Sequence, residues 1–124
     1  MKLGIDWDGT MASYPEAFRR LVKYASEVYI ITLNPYVDLE SIRLGMDLEK
    51  EFNPNVKLRL HIYPYETLRH NERESQRHAP EWKATVCNEL DIDIFFDDRK
   101  DVCDMVENTS CAAVMHLTHR DNIL

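Results

Sequence analysis

The chain has 124 residues, a formal net charge of −7 at pH 7 and a hydrophobic content of 44%. This length suits a single domain, residues 1–124, with its own hydrophobic core. No apolar run reaches the roughly 20 residues of a membrane span, and the acidic excess argues against non-specific binding to nucleic acid. The three cysteines show no metal-ligand spacing, so we expect reduced thiols in a cytoplasmic protein.

Five segments have the sequence pattern of β-strands. Residues 28–33 are nearly all apolar and β-branched, which is typical of a central parallel strand covered on both faces. Residues 56–62 alternate between apolar and polar side chains, which indicates a strand with one wet face at a sheet edge. The predicted strands are residues 2–7, 28–33, 56–62, 92–96 and 111–117.

Four helices are predicted between these strands. Ser13 and Glu16 have the spacing of a capping box, with Pro15 in the first helical turn. The second helix begins near Pro35 or at Asp38. Residues 63–78 show no clean period and predict a loop with an irregular helix, followed by helices over residues 80–90 and 99–108. The side chains expected to face the core are Ala17, Phe18, Leu21, Val22 and Ala25, then Leu39, Ile42, Met46 and Leu48, then Trp82, Val86 and Leu90, then Val102, Cys103 and Val106.

Alternating strands and helices predict an α/β fold of the Rossmann-like type, a three-layer sandwich around a five-stranded parallel sheet. In such folds the ligand binds beyond the carboxyl ends of the strands. Acidic and hydroxyl side chains occur at these ends. Asp6 and Asp8 follow the first strand, Thr32 ends the second, and Asp97 and Asp98 follow the fourth. Crowded carboxylates repel each other, so this grouping favours a site for a divalent cation.

These residues resemble the four motifs of the haloacid dehalogenase superfamily of phosphohydrolases. The resemblance covers residues 2–117, nearly the whole chain. The D-D-R form of the fourth motif is similar to that of polynucleotide 3′-phosphatases and small phage-type or bacterial phosphatases. The matching segments are Asp6-Trp7-Asp8-Gly9-Thr10 for the first motif, Ile30-Ile31-Thr32 for the second, Lys83 for the third, and Phe95-Phe96-Asp97-Asp98, continued by Arg99 and Asp101, for the fourth.

The resemblance implies a Mg²⁺-dependent phosphomonoester hydrolase that forms an aspartyl phosphate. Asp6 is the implied nucleophile, and Asp8 is the implied acid and base. Thr32 and Lys83 are expected to hold the phosphoryl oxygens. Either Asp97 or Asp98 contacts the metal directly, and Asp98 is favoured. The full implied set comprises the metal ligands Asp6, Asp8 (through its backbone carbonyl), Asp97 and Asp98, the substrate-binding residues Gly9, Thr10, Thr32, Leu33, Asn34, Lys83 and Arg99, and Asp101 in support of the metal site.

Members of this superfamily often carry a cap domain, and the chain has no room for one after Thr10 or after Ile62. We therefore expect an open site that accepts a phosphorylated small molecule, a nucleotide or a nucleic-acid end, or that a second subunit of a homo-oligomer closes. Arg69, Arg73 and Arg77 recur every four residues. They form either a basic stripe near the site or a solvated helix face.

Two other functions fit parts of the sequence. A catalytically silent domain that keeps the fold for binding or interaction is the main alternative, and an intact first motif favours the enzyme. A two-component receiver domain would need an aspartate at the end of the third strand. That place holds His61, Tyr63 and Pro64, so the receiver interpretation fails.

Overall fold

Strands and helices alternate within residues 1–45, 56–64, 72–109 and 113–116, which the computed structural model describes. The predicted positions Met46, Leu48, Arg69, Cys111 and Leu117 lie outside these ranges. Among the described residues, no helix has the length and hydrophobicity needed to span a bilayer. The elements are β1 (Lys2–Ile5), α1 (Pro15–Val22), β2 (Glu27–Thr32), α2 (Leu39–Gly45), β3 (Lys57–Ile62), α3 (Glu72–Glu89), β4 (Ile94–Asp97), α4 (Lys100–Glu107) and β5 (Ala113–His116).

The five strands form one parallel sheet in the order β3-β2-β1-β4-β5. The chain builds outward from β1 to β3 and then returns to β4 on the other side of β1. This reversal opens a crevice at the carboxyl ends of β1 and β4. The order differs from the 2-1-3-4-5 order of flavodoxin-like folds, which the receiver alternative would require. The predicted parallel sheet is confirmed, with β3 at an edge as its alternating pattern indicated.

Helices pack on both faces of the sheet and enclose two hydrophobic cores. On one face, Phe18, Val22 and Ile42 from α1 and α2 pack against the sheet, and the ring of Phe18 meets that of Phe96 edge-on at 5.3 Å. The other face is covered by α3 and α4. Its buried side chains include Ile31, Ala79, Val86, Cys87, Phe95, Val102 and Val106. The three-layer α/β architecture is therefore confirmed, and no cap domain occurs within the described ranges.

β1 ends at Ile5, two residues before the predicted end, because the chain turns over Trp7–Met11. The backbone N–H of Met11 donates to the carbonyl of Asp6 at 3.2 Å, and this wide turn needs Gly9 at a φ of +76°. Wide turns of this type are frequent at functional sites. Trp7 lies outside the strand and packs, half-buried, against the first core.

The predicted capping box of α1 is wrong. The N–H of Ser13 donates to the carbonyl of Thr10, and Glu16 pairs with Arg19 at 3.0 Å. α1 begins at Pro15, so Tyr14 and not Ser13 occupies the N-cap position, and no side chain caps the helix. Ala17, predicted to face the core, is exposed.

Of the two predicted starts of α2, the one at Asp38 is confirmed. The Asp38 carboxylate accepts the N–H of Ser41 at 2.8 Å and its hydroxyl at 3.2 Å. This is the geometry of a helix N-cap, in which a side-chain oxygen satisfies a backbone donor of the first turn. Leu39 is half-buried and Ile42 fully buried, as predicted.

α3 begins at Glu72 and not at Pro80, so the helix predicted within residues 63–78 is present over residues 72–78 and is continuous with the helix predicted from Pro80. Pro80 lies inside the helix, where proline usually ends or kinks it. The carbonyl of Gln76, four residues earlier, accepts a hydrogen bond of 3.0 Å from the side chain of Arg99. A contact with a distant residue thus supports the continuity of the helix through Pro80, which the local pattern did not indicate.

We expect Asp38→Ala to lower the free energy of unfolding by about 1 kcal/mol, because the first turn of α2 loses its cap. Ser13→Ala should change it by only a few tenths of a kcal/mol, since the Ser13 side chain caps no helix. Urea unfolding of both variants measures this difference. Equal losses would contradict the assignment of Asp38 as the cap.

Candidate functional site

Three carboxylates meet where the chain leaves β1 and β4. Asp6 directly follows β1, Asp97 is the last residue of β4, and Asp98 comes next. The N–H of Asp6 donates to the carbonyl of Phe96 at 3.0 Å, which fixes the two strand ends side by side. One oxygen from each of Asp6, Asp97 and Asp98 lies within 4.8 Å of the others. These oxygens form a donor set suited to a hard divalent cation.

Lys83 lies between two of these carboxylates. Its Nζ is 2.9 Å from Asp6 Oδ1 and 2.8 Å from Asp97 Oδ2, and only 3% of the residue is exposed. α3 delivers the side chain from the helical layer to the carboxyl edge of the sheet. One cation therefore contacts the acids at the ends of β1 and β4 from α3.

Burial and the charges of neighbouring groups shift the pKa values of Asp6, Asp97 and Lys83. Burial is the main reason that the pKa of Asp6 is raised to about 7; Lys83 opposes the increase, and the charges of Asp97 and Asp98 add to it. The pKa of Asp97 is also raised, mainly by burial. Burial alone would lower the pKa of Lys83, but the charges and hydrogen bonds of Asp6 and Asp97 together raise it. The ammonium form of Lys83 is thus strongly favoured, whereas without a metal Asp6 is held near its point of half-ionisation at neutral pH.

Asp8 lies in a different environment from Asp6, although only one residue separates them. Its side chain is exposed, and its Oδ2 accepts a hydrogen bond of 3.1 Å from the Asn34 amide. The other end of that amide accepts the N–H of Tyr36 at 2.9 Å, which fixes the amide's orientation. The carboxylate of Asp8 is not part of the cluster that could hold a cation.

Gly9 and Thr10 position the acids. A side chain at residue 9 would overlap the carboxylate of Asp98, and the φ of +76° also favours glycine. Thr10 is fully buried, and its hydroxyl donates to Asp6 Oδ2 at 3.3 Å. The structure therefore places Thr10 behind the nucleophile candidate and away from the surface that a substrate could reach.

A cleft of about 260 Å³ lies over these acids. Thr32 and Leu33 form part of its wall, and the oxygen of Thr32 accepts the N–H of Asn34 at 3.0 Å. The hydrogen of the Thr32 hydroxyl can then be donated to a ligand. The residues that line the cleft are Asp6, Asp8, Gly9, Thr32, Leu33, Gln76, Lys83, Asp98 and Arg99.

Asp97 and Asp98 have different surroundings. Asp97 is fully buried, and its second oxygen accepts the backbone N–H of Arg99 at 2.9 Å, so both of its oxygens are engaged. Asp98 is half-buried and lines the cleft. Asp101, predicted to support the metal site, instead pairs with the Arg99 guanidinium at 2.7 and 3.1 Å, and this contact lowers the pKa of Asp101.

Sequence reasoning missed one cleft residue, Gln76. It precedes Lys83 by seven residues, the spacing that returns a helix to the same face. The helix predicted over residues 80–90 does not include Gln76, so this relation could not be used. Of the predicted arginine stripe, Arg73 and Arg77 are exposed on α3, and Arg77 pairs with Glu74 at 3.4 Å. Arg69 is not among the described residues.

The raised pKa of Asp6 predicts how the stability of the metal-free protein depends on pH. The folded chain keeps the Asp6 proton up to about pH 7, whereas the unfolded chain releases it near the ordinary aspartate pKa of 3.8. This contribution is fully present below pH 3.8 and is lost as pH rises through 7. Between pH 5 and pH 8 it should fall by roughly 3 kcal/mol.

Urea unfolding in excess chelator at these two pH values, on wild type and Asp6→Asn, isolates the effect. The free energy of unfolding should fall more steeply with pH in wild type than in Asp6→Asn, because asparagine does not titrate. Parallel pH dependences in the two proteins would contradict the expected shift.

Comparison with known proteins gives no match for this chain among family models, curated proteins or solved structures. Any assignment of function therefore rests on the motifs of the sequence and on the geometry described above.

Proposed function

We propose that this protein is a Mg²⁺-dependent phosphomonoesterase of the haloacid dehalogenase type, with Asp6 as its nucleophile. One observation carries the proposal. Two carboxylates separated by one residue face the same cleft in opposite environments, Asp6 buried against Lys83 and Asp8 exposed beside Asn34. Neighbouring carboxylates in such different environments are suited to different tasks in acid–base and nucleophilic catalysis.

The two steps of the reaction divide between these carboxylates. An Asp6 oxygen attacks the phosphorus, the bond from phosphorus to the ester oxygen breaks, and Asp8 gives its proton to that oxygen. Water then attacks the phosphorus of the aspartyl phosphate, Asp8 takes a proton from the water, and the Asp6 carboxylate leaves. The products are an alcohol and inorganic phosphate. Thr10, through its hydrogen bond to Asp6, holds the nucleophile in place.

The chemistry of the donor set fits Mg²⁺, because three carboxylates supply the oxygen ligands that this ion prefers. Asp6, the backbone carbonyl of Asp8 and Asp98 are the proposed direct protein ligands. Asp98 is preferred to Asp97 because Asp98 lines the cleft, whereas Asp97 is fully buried. When bound, the ion would favour the ionised form of Asp6 and offset the repulsion between carboxylates and phosphate.

The substrate is proposed to be a phosphorylated small molecule, a nucleotide or a nucleic-acid end. Thr32 and Lys83 hold the phosphoryl oxygens in this proposal, because both line the cleft and both carry donors. Leu33 and Asn34 surround the remainder of the substrate, and Arg99 is a further substrate-binding residue on the cleft wall. An open cleft without a cap among the described residues supports a substrate whose phosphate protrudes, or closure by a second subunit.

The cytoplasmic location and the choice between an enzyme and a silent binding domain stay predictions. The free, buried thiols of Cys87 and Cys103, whose pKa values burial raises to about 12, support the reduced state expected in the cytoplasm. A silent binding domain would share the fold but would not turn over a phosphate ester, so measurement of activity separates it from the proposed enzyme.

We expect Asp6→Asn to lower the rate of p-nitrophenyl phosphate hydrolysis by on the order of 10³-fold or more, because the amide keeps the shape but is not a nucleophile. The matched control is Asp104→Asn, an exposed acid of α4 bonded to Lys100 at 2.7 Å. It should keep nearly full activity. Wild-type activity in Asp6→Asn, or in excess chelator, would contradict the proposal.

Mg²⁺ should raise Tm by about 5 °C at roughly tenfold its dissociation constant, because binding to the folded chain stabilises it by mass action. Asp98→Asn should abolish this rise by removing a direct ligand, whereas Asp101→Asn should retain it, since Asp101 contacts Arg99. Differential scanning fluorimetry across a Mg²⁺ titration measures both. An undiminished rise in Asp98→Asn would remove Asp98 from the metal site.

A further inference from the structure

The interior of α3 contains a proline whose position has a consequence for the cleft. Pro80 has no backbone N–H, so the carbonyl of Gln76 cannot receive the helical hydrogen bond from position 80. The proline ring also pushes that carbonyl away from the helix axis. Proline is the least favourable residue in a helix interior, so a contact elsewhere must compensate for it.

Arg99 supplies that contact. Its Nη2 donates to the Gln76 carbonyl at 3.0 Å and to Asp101 Oδ2 at 2.7 Å, while Nε donates to Asp101 Oδ1 at 3.1 Å. These bonds use Nε–H and both hydrogens of Nη2. The guanidinium is planar, so two anchors on its edge fix the orientation of the whole group.

The two hydrogens of Nη1 remain as donors, and no residue in the described ranges accepts a hydrogen bond from them. Arg99 lines the same cleft as Asp6 and Asp8. A fixed guanidinium on a cleft wall is suited to the oxygens of a phosphoryl group.

We propose that Pro80 is a positioning residue for Arg99: by releasing the Gln76 carbonyl it anchors the guanidinium, whose Nη1 then binds a phosphoryl oxygen of the substrate. The identity of the ligand rests on the proposed function. The coupling between Pro80 and Arg99 does not, because it follows from the hydrogen bonds of the protein alone.

The coupling is tested by urea unfolding of Pro80→Ala, Arg99→Met and the double variant. Pro80→Ala should raise the unfolding midpoint, because alanine favours the helix and restores an N–H for the Gln76 carbonyl. Arg99→Met should lower the midpoint in wild type and lower it clearly less in the Pro80→Ala background, where that carbonyl keeps a donor.

Glu81→Ala is the matched control, an exposed neighbour of Pro80 on the same helix. Its effect on the midpoint should add to that of Arg99→Met. Additive effects for Pro80→Ala and Arg99→Met as well would overturn the positioning role.

The binding role is tested by steady-state hydrolysis of p-nitrophenyl phosphate with Mg²⁺. Pro80→Ala should raise KM about threefold to tenfold, with kcat within about twofold, because a guanidinium without its second anchor binds the phosphoryl group less well. The double variant Pro80→Ala/Arg99→Met should have the same KM as Arg99→Met alone. Arg99→Lys keeps the charge but not the fork, so its KM should lie between those of wild type and Arg99→Met.

An unchanged KM in Pro80→Ala, or an equal rise in both backgrounds, would overturn this role. A wild-type chain without phosphatase activity would overturn the proposed function and the phosphoryl ligand together. The unfolding measurements would in that case still decide whether Pro80 positions Arg99.

Discussion

The buried contact of Lys83 with Asp6 and Asp97 is the constraint on which the rest of the arrangement depends. A single ammonium group, 2.9 and 2.8 Å from the two carboxylates, joins two neighbouring strands and the helix α3. Burying three charges is costly, and replacing such a group by well-packed apolar side chains is often neutral or stabilising. Stability alone therefore does not account for it. The proposed reaction needs a carboxylate and a cation at one place, and this contact is consistent with that proposal.

The order of the strands brings together two acids that are far apart in the sequence. The chain builds two strands to one side of β1 before it returns to β4, so the carboxyl ends of β1 and β4 flank the reversal. α3, which leads back to β4, runs against the direction of the strands. Lys83 reaches Asp6 from α3, and Gln76 precedes Lys83 by seven residues on the same helix. This geometry makes Gln76 a wall of the cleft and brings it within reach of Arg99.

Features that depend on burial patterns could be predicted from the sequence, and features that depend on distant contacts could not. The apolar run of β2 and the alternation of β3 predicted these strands correctly, and the strand ends predicted that Asp6, Asp8 and Thr32 share a cleft. Lys83, which lines the same cleft, was predicted only from the resemblance. The helix predicted within residues 63–78 was not joined to the helix from Pro80, because Pro80 is a local stop signal. The bond from Arg99 to the carbonyl of Gln76, 23 residues earlier, offsets that signal. Spacing also could not show the bonding partners of the side chains. The hydrogen bonds of Thr10 to Asp6 and of Arg99 to Asp101 form only in the folded chain.

The balance of charge in the cleft determines how an anion can enter it. The charge of Lys83 is held by Asp6 and Asp97, and that of Arg99 is shared with Asp101. Asp8 and Asp98 add negative charge at the lining. A phosphate that approaches these groups is repelled, and the repulsion is stronger where water is excluded than in bulk solvent. Electrostatics thus supports the proposal of a bound cation, independently of any family resemblance. In the proposed enzyme the metal offsets the repulsion at the carboxylates, and Nη1 of Arg99 contributes direction more than charge, since its guanidinium is already anchored and partly neutralised.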